Sequence, residues 1–256
     1  MCHAGSLNRQ DGRLNIDREA CTGCGLCTDT CPTTALEMLG RNINILDLMA
    51  ELVKDRVFYD KSGGGVTLSG GEPGAQLEFS EGLLSELRAT GISTALDTSG
   101  LVNPDSFMRL LPLTDYLLFD VKTINEEDHI RFTAQSNRLI LQNLVAAGDY
   151  IRENRGKPVL WIRTPLIPGA TAEEECIRDT GQFLADNLKD CVSRWELCAF
   201  NNLCRDKYSR LELDWEYATE PLISREELNR LETLAKNCGL TPKNVAVTGA
   251  ARSMDS

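Results

Sequence analysis

From about residue 45 onward, apolar positions along the chain switch between two periods. Ile45, Met49, Leu52 and Val53 recur at helical spacing, and "VTLSG" (66–70) follows the glycines 63–65 as a short strand. Phe79, Leu83, Leu84 and Leu87 mark a helix closed by Gly91, "ISTALD" (92–97) a strand, and "DYLLFDVK" (115–122) another. Residues 139–150 read as a helix and "PVLWIRTPLI" (158–167) as a strand ended by Pro168 and Gly169. Thr171 with Glu174, and Ser224 with Glu227, each match a capping box, which predicts helices from about 172 and 225. Between them lies the strand "RWELCAF" (194–200), and after Gly239 comes "NVAVTG" (244–249). This alternation predicts an α/β fold on a parallel sheet, open or closed into a barrel. Loops at the C-terminal ends of the strands would then build the site.

Residues 4–38 break the pattern, with few long apolar side chains and several turn formers. A unit that short usually needs a staple, and the cysteines supply a candidate. The chain has 256 residues, 42% of them hydrophobic, enough for one main domain with an insert. Lys+Arg 27 against Asp+Glu 38 gives a net charge of -11, which opposes binding to nucleic acid and favours a protein or small-molecule partner. No apolar run has the length of a membrane span, and the first residues lack the basic start and apolar stretch of a signal peptide. The expectation is a cytoplasmic protein with no membrane partner.

Four of the ten cysteines, Cys21, Cys24, Cys27 and Cys31, form the run "CTGCGLCTDTCP" (21–32). This is C-x2-C-x2-C-x3-C-P, the bacterial ferredoxin spacing for a [4Fe-4S] cluster, whereas a zinc ribbon expects two separated C-x2-C pairs. In two-cluster ferredoxins the fourth cysteine of such a run serves the other cluster, which leaves the role of Cys31 open. Cys176, Cys191, Cys198, Cys204 and Cys238 are scattered and read as small buried hydrophobes.

"SGGGVTLSGGEP" (62–73) is glycine-rich around a strand, as a backbone-lined pocket would be, yet it is neither a P-loop nor a dinucleotide motif. "LDTSG" (96–100) and "FDVK" (119–122) place polar groups at the ends of the next two strands. Asp120 and Lys122 share a face, consistent with a site or with a local ion pair. Arg163, within an apolar strand, needs an internal partner.

Together these residues resemble the glycyl-radical-enzyme activating enzymes, the radical S-adenosylmethionine (SAM) family that includes pyruvate formate-lyase activating enzyme. The likeness runs from the ferredoxin run through "FYDKSGGGVTLSGGEP", "LDTSG", "LLFDVK" and "RTPLIPG" to "DKY". It implies a partial (β/α)6 barrel over 39–250 and a ferredoxin-like insert over 4–38, with residues 1–3 a remnant of the cluster motif and 251–256 a tail. The implied cofactors are SAM, a [4Fe-4S] cluster in the insert and a second [4Fe-4S] cluster at the radical site. Reductive cleavage of SAM would yield a 5′-deoxyadenosyl radical that takes hydrogen from a glycine of the partner, a glycyl-radical enzyme. A reduced flavodoxin- or ferredoxin-type protein would donate the electron.

The same resemblance assigns Ser69, Gly70, Gly71 and Glu72, and then Asp97 and Thr98, to the cofactor. Asp120, Lys122 and Arg163 are implied to be both cofactor-binding and catalytic. Asn201 stands where many members have a histidine, and Lys207 with Tyr208 match a lysine-tyrosine pair. The family's catalytic cluster rests on C-x3-C-x2-C, and Cys2-His3 matches only its last cysteine and the neighbour. The two preceding cysteines and the first barrel strand would precede Met1, so the 256-residue chain by itself is expected not to cleave SAM. The second functional class left open is an iron-sulfur electron-transfer or binding module without radical chemistry. Another radical SAM enzyme acting on a small molecule fits the combination of motifs less well.

Overall fold

The computed structural model describes residues 2–252; Met1 and residues 253–256 of the expected tail lie outside them. The chain divides into two compact units, Met1–Leu48 and Met49–Ser256. In the first, β1 (Leu7–Gln10) and β2 (Arg13–Ile16) form an antiparallel hairpin with Leu7 opposite Ile16. Asp11 and Gly12 join them, both at positive φ (52° and 75°), the turn geometry that an Asp-Gly pair adopts most readily. The short α1 (Leu26–Asp29) starts after Gly25.

The helix expected from Ile45 is α2 (Ile45–Leu52), and a 3-10 turn at Val53–Asp55 then leads into α3 (Arg56–Ser62). Six parallel strands follow: β3 (Gly65–Leu68), β4 (Ser93–Thr98), β5 (Tyr116–Asp120), β6 (Val159–Leu166), β7 (Val192–Ala199) and β8 (Val245–Thr248). They lie side by side in chain order. The connections carry α4 (Leu77–Ala89), α5 (Pro104–Leu110), α6 (Glu126–Thr133), α7 (Arg138–Glu153), α8 (Glu174–Leu188), α9 (Arg205–Arg210) and α10 (Arg225–Lys236).

Burial alternates along β4 to β7. One face, with Leu96, Leu117, Phe119, Leu160, Ile162, Trp195 and Leu197, is buried. The facing helices bury apolar stripes at helical spacing, such as Ile140, Leu144, Ala147 and Ile151 of α7 and Ile177, Leu184 and Leu188 of α8. Trp195 donates its indole N–H to Thr164 Oγ1 at 3.0 Å, so its one polar atom is satisfied in the core. The opposite face is only partly covered and carries Asp97, Asp120, Arg163 and Glu196. Among the described residues no helix is long and apolar enough to cross a membrane.

Of the two expected capping boxes, one forms. Ser224 accepts from the Glu227 N–H at 3.1 Å, and α10 starts at Arg225. Thr171 does not cap: α8 starts at Glu174 behind Glu173, which makes no side-chain cap bond. The Thr171 hydroxyl is drawn inward, donating to the Pro165 carbonyl and accepting from the Ile167 N–H. Those backbone groups end β6 in a partly buried turn, where leaving them unpaired costs more than a water-exposed helix N-terminus does. Gly91 closes α4 as expected, at φ 73° with the Ile92 N–H bonded to the Leu87 carbonyl at 3.0 Å.

Two buried asparagines hold the loops beyond the strand ends. Asn143 of α7 donates to the carbonyls of Gly100 and Val102 at 2.9 and 2.8 Å, and Asn137 to those of Thr123 and Ile124 at 3.0 and 2.8 Å. Asn143→Ala strands two buried carbonyls after β4. It is expected to cost about 2 kcal/mol, read as a lower midpoint in denaturant unfolding; an unchanged midpoint would show that water replaces the amide.

Candidate functional site

A cavity of about 360 Å3 opens where β3 to β7 end. It is lined by Ser69, Gly70 and Gly71 after β3, by Asp97, Thr98 and Ser99 of the β4 end, and by Asp120 and Lys122 of the β5 end. Arg163 and Pro165 of β6 and Cys198 of β7 complete it. The residues meet because side chains two apart on a strand share a face, and parallel pairing aligns those faces: Arg163 lies opposite Asp120 on one side and Glu196 on the other. Gly70 adopts φ 119°, a conformation that a residue with a side chain rarely takes.

Charge organises this face. Arg163 donates from Nη1 to both oxygens of Asp97 at 3.1 Å, and its Nε lies 3.4 Å from Glu196 Oε2. The internal partner that the sequence demanded for Arg163 is thus two carboxylates. Ser69 Oγ donates to Asp97 Oδ2 at 3.0 Å, and Lys122 Nζ lies 3.4 Å from Asp120. That local ion pair and the cavity wall are the same two side chains. Burial pushes the Asp120 carboxyl above its ordinary range; Lys122 and Arg163 pull it down, Asp97 pushes it further up, and the balance is upward. Burial lowers the Arg163 pKa, but Asp97 and Asp120 outweigh it and keep the guanidinium charged. The Cys198 thiol is pushed up by burial and is therefore neutral near pH 7.

Two expected cofactor residues are not among those lining the cavity. Glu72 turns its carboxylate to the β4 end, accepting from Thr98 Oγ1 (2.7 Å), Ser99 N (2.9 Å), Ser99 Oγ (2.7 Å) and Gly74 N (3.3 Å). It ties the Gly70-Gly71 turn to the loop after Asp97. Asn201 accepts from the Leu203 N–H at 3.2 Å, shaping the turn after β7, and Tyr208 stacks on Trp215 with ring centroids 5.2 Å apart. The sequence reading missed Ser99, Arg194 and Glu196. Period-two alternation in "RWELC" puts Arg194, Glu196 and Cys198 on one face, and that signal could have found Arg194 and Glu196.

In the first unit, Cys2, Cys21, Cys24 and Cys27 line one cavity of about 250 Å3, and Cys31 is not among its lining residues. Cys2 Sγ lies 3.1 Å from Ser6 Oγ, and that contact is the main reason its thiol is lowered to about 7. Backbone N–H groups, that of Leu36 first, and the Thr33 hydroxyl lower Cys31 to about 7. All ten cysteines are free thiols, and among the described residues no three His, Cys, Asp or Glu side chains gather around a single ion. Thiols sharing one cavity are the donor type that an iron-sulfur cluster takes, and the cube needs its ligands spread around it, not converging on one point.

Residues 20–180 match the Radical SAM superfamily. The chain is 34% identical over 236 residues to the isethionate sulfite-lyase activating enzyme of Nitratidesulfovibrio vulgaris, covering 91% of this chain and 74% of that one. It is 33% identical to the trans-4-hydroxy-L-proline dehydratase activating enzyme of Clostridioides difficile, covering 91% and 85%. A crystal structure of a domain of pyruvate-formate lyase-activating enzyme from Bacteroides vulgatus superposes with TM-score 0.58 and 26% identity, over 73% of this chain and 99% of that one. These relatives are activating enzymes, which does not favour an electron-transfer or binding module without radical chemistry.

The raised Asp120 value fixes the sign of a pH effect. Well below the ordinary aspartate value, at about pH 2, the carboxyl is neutral in both folded and unfolded chains and burial costs nothing extra; the cost sets in as pH rises past the unfolded value and is complete above the raised folded value. Asp120→Asn is therefore expected to raise the thermal midpoint near pH 7 and to lose that advantage at about pH 2. A variant less stable than wild type at pH 7 would mean that the pairing with Lys122 outweighs burial.

Proposed function

For a chain that belongs to the Radical SAM superfamily and, within it, to the glycyl-radical-enzyme activating enzymes, we propose that the cavity at the ends of β3 to β7 binds SAM. The observation that carries this is its mixed charge: Lys122 and Arg163 stand beside Asp97 and Asp120. The methionine end of SAM presents a carboxylate, an ammonium and a sulfonium within a few bonds. A site of one sign would repel part of it, whereas alternating charges can face each group.

The six parallel strands are read as part of a (β/α)6 barrel whose strand ends hold the cofactor. A [4Fe-4S] cluster and SAM, when bound, would supply one-electron radical chemistry directed at a glycine of the partner. The chain's own residues bind and orient. Ser69, Gly70 and Gly71 offer backbone close to the ligand, Asp97 and Asp120 attract its cationic groups, and Lys122 and Arg163 its carboxylate. Glu72 acts through the turn it clamps. By its likeness to the family motif, Cys2 would be a ligand of the catalytic cluster. Cys21, Cys24 and Cys27, which share a cavity that Cys2 also lines, would hold the cluster of a ferredoxin-like insert, with Cys31, off that cavity, assigned as fourth ligand by its spacing alone. The partner is a glycyl-radical enzyme, and the electron comes from a reduced flavodoxin- or ferredoxin-type protein. A reducing cytoplasm suits ten cysteines without disulfides.

Lys122→Ala is expected to weaken SAM binding to the anaerobically reconstituted protein about tenfold or more, as loss of a charged hydrogen bond does. Its thermal midpoint should stay within a few degrees of wild type, as for a change worth about 0.5 kcal/mol. Unchanged SAM titration with a large loss of midpoint would leave only a structural ion pair. For the insert, iron and sulfide per chain should fall in Cys24→Ala relative to wild type; equal iron in both proteins, or zinc in the wild type, would overturn the assignment.

A further inference from the structure

Glu196 is a carboxylate that the reading above does not use, and its surroundings are unusual. Its side chain is 12% exposed and stands directly opposite Arg163 across the β6–β7 pairing. Oε2 lies 3.4 Å from Arg163 Nε, and Oε1 lies 2.9 Å from Arg194 Nη2. The Arg194 guanidinium in turn sits over the Trp161 ring, 4.9 Å from its centroid, and Trp161 meets Tyr116 edge-on at 6.0 Å. Arg163 lines the cavity; Glu196 and Arg194 are not among the lining residues.

A guanidinium held by one carboxylate can pivot about that contact. Arg163 is held through two different nitrogens, Nη1 by Asp97 of β4, two strands away, and Nε by Glu196 of the adjacent β7, so the plane of the group is set by both. Arg194 and the Trp161 face fix Glu196 itself. We propose that Glu196 is a positioning residue for Arg163, holding its guanidinium in the one orientation that meets the anionic end of the cofactor. This rests on the SAM reading of the cavity.

Charge alone predicts the opposite result, which makes the idea decidable. Removing the negative charge of Glu196 leaves the face more positive, and a cofactor carboxylate should then bind more tightly if Arg163 needed no guidance. If Glu196 orients Arg163, the same change loosens the guanidinium, and that carboxylate should bind more weakly.

The test is equilibrium binding to the anaerobically reconstituted chain, with SAM and with 5′-methylthioadenosine, which keeps the adenosine and sulfur but lacks the amino-acid end. Glu196→Gln is expected to weaken SAM binding about tenfold while changing 5′-methylthioadenosine binding less than about twofold. Glu196→Asp, which keeps the charge, should recover part of the loss and serves if the glutamine variant does not fold. Arg163→Ala combined with Glu196→Gln should lose no more than Arg163→Ala alone, because the second residue acts through the first. SAM binding by Glu196→Gln that equals or exceeds wild type would overturn the proposal, and so would an equal loss on both ligands, the mark of a general structural role. Wild-type protein that binds 5′-methylthioadenosine and SAM equally, or SAM not at all, would instead overturn the reading of the cavity and this inference with it.

Discussion

In a parallel strand every second side chain is committed to one face, and this constraint governs both the stability and the chemistry of the larger unit. Leu96, Phe119, Ile162 and Leu197 are buried on one face of the sheet, so Asp97, Asp120, Arg163 and Glu196 must emerge on the other. The core therefore positions the charges without touching them. A slip of one residue would bury a carboxylate in β4, β5 or β7, or Arg163 in β6, and expose an apolar side chain, and that double cost pins the register.

Once on one face, the charges regulate each other. Asp97 binds Arg163 and Ser69, Arg163 is shared with Glu196, and Glu196 is shared with Arg194. Each group is partly paired before any ligand arrives, so the partly buried charges are tolerated, and the cavity still presents both signs to a zwitterion. Asp120 is paired too, with Lys122, but less completely. Burial outweighs its cationic neighbours and lifts its carboxyl, so part of the stability is given up where a cationic ligand group would restore it. Behind them, the Glu72 clamp on the β4 end, Asn143 of α7 and Asn137 just before α7 hold the loops around the cavity through hydrogen bonds.

The smaller unit solves a different problem. It has an Asp-Gly hairpin, a single short helix and little buried apolar surface, so its cysteines are its main structural resource. Cys21, Cys24 and Cys27 are close in sequence and share a cavity, so their proximity comes from local chain geometry.

Local sequence pattern was enough to locate the six parallel strands and the helices α2, α4, α7, α8 and α10, because period-two and period-3.6 patterns are local; α3, α5, α6 and α9 were not expected from it. The cysteine spacing and the Asp-x-Lys pair were legible for the same reason. What sequence could not decide was competition between distant partners. Thr171 has the spacing of a helix cap, yet the carbonyl of Pro165 and the N–H of Ile167 claim its hydroxyl. Glu72 belongs to the glycine motif, but its carboxylate is taken by Thr98 and Ser99. Glu196 drew no expectation from the sequence, and it is the second partner of Arg163 because β6 and β7 pair in register. Local pattern determines which face a residue occupies; which neighbour it meets there is settled by strand register and by the burial cost of leaving a polar group alone.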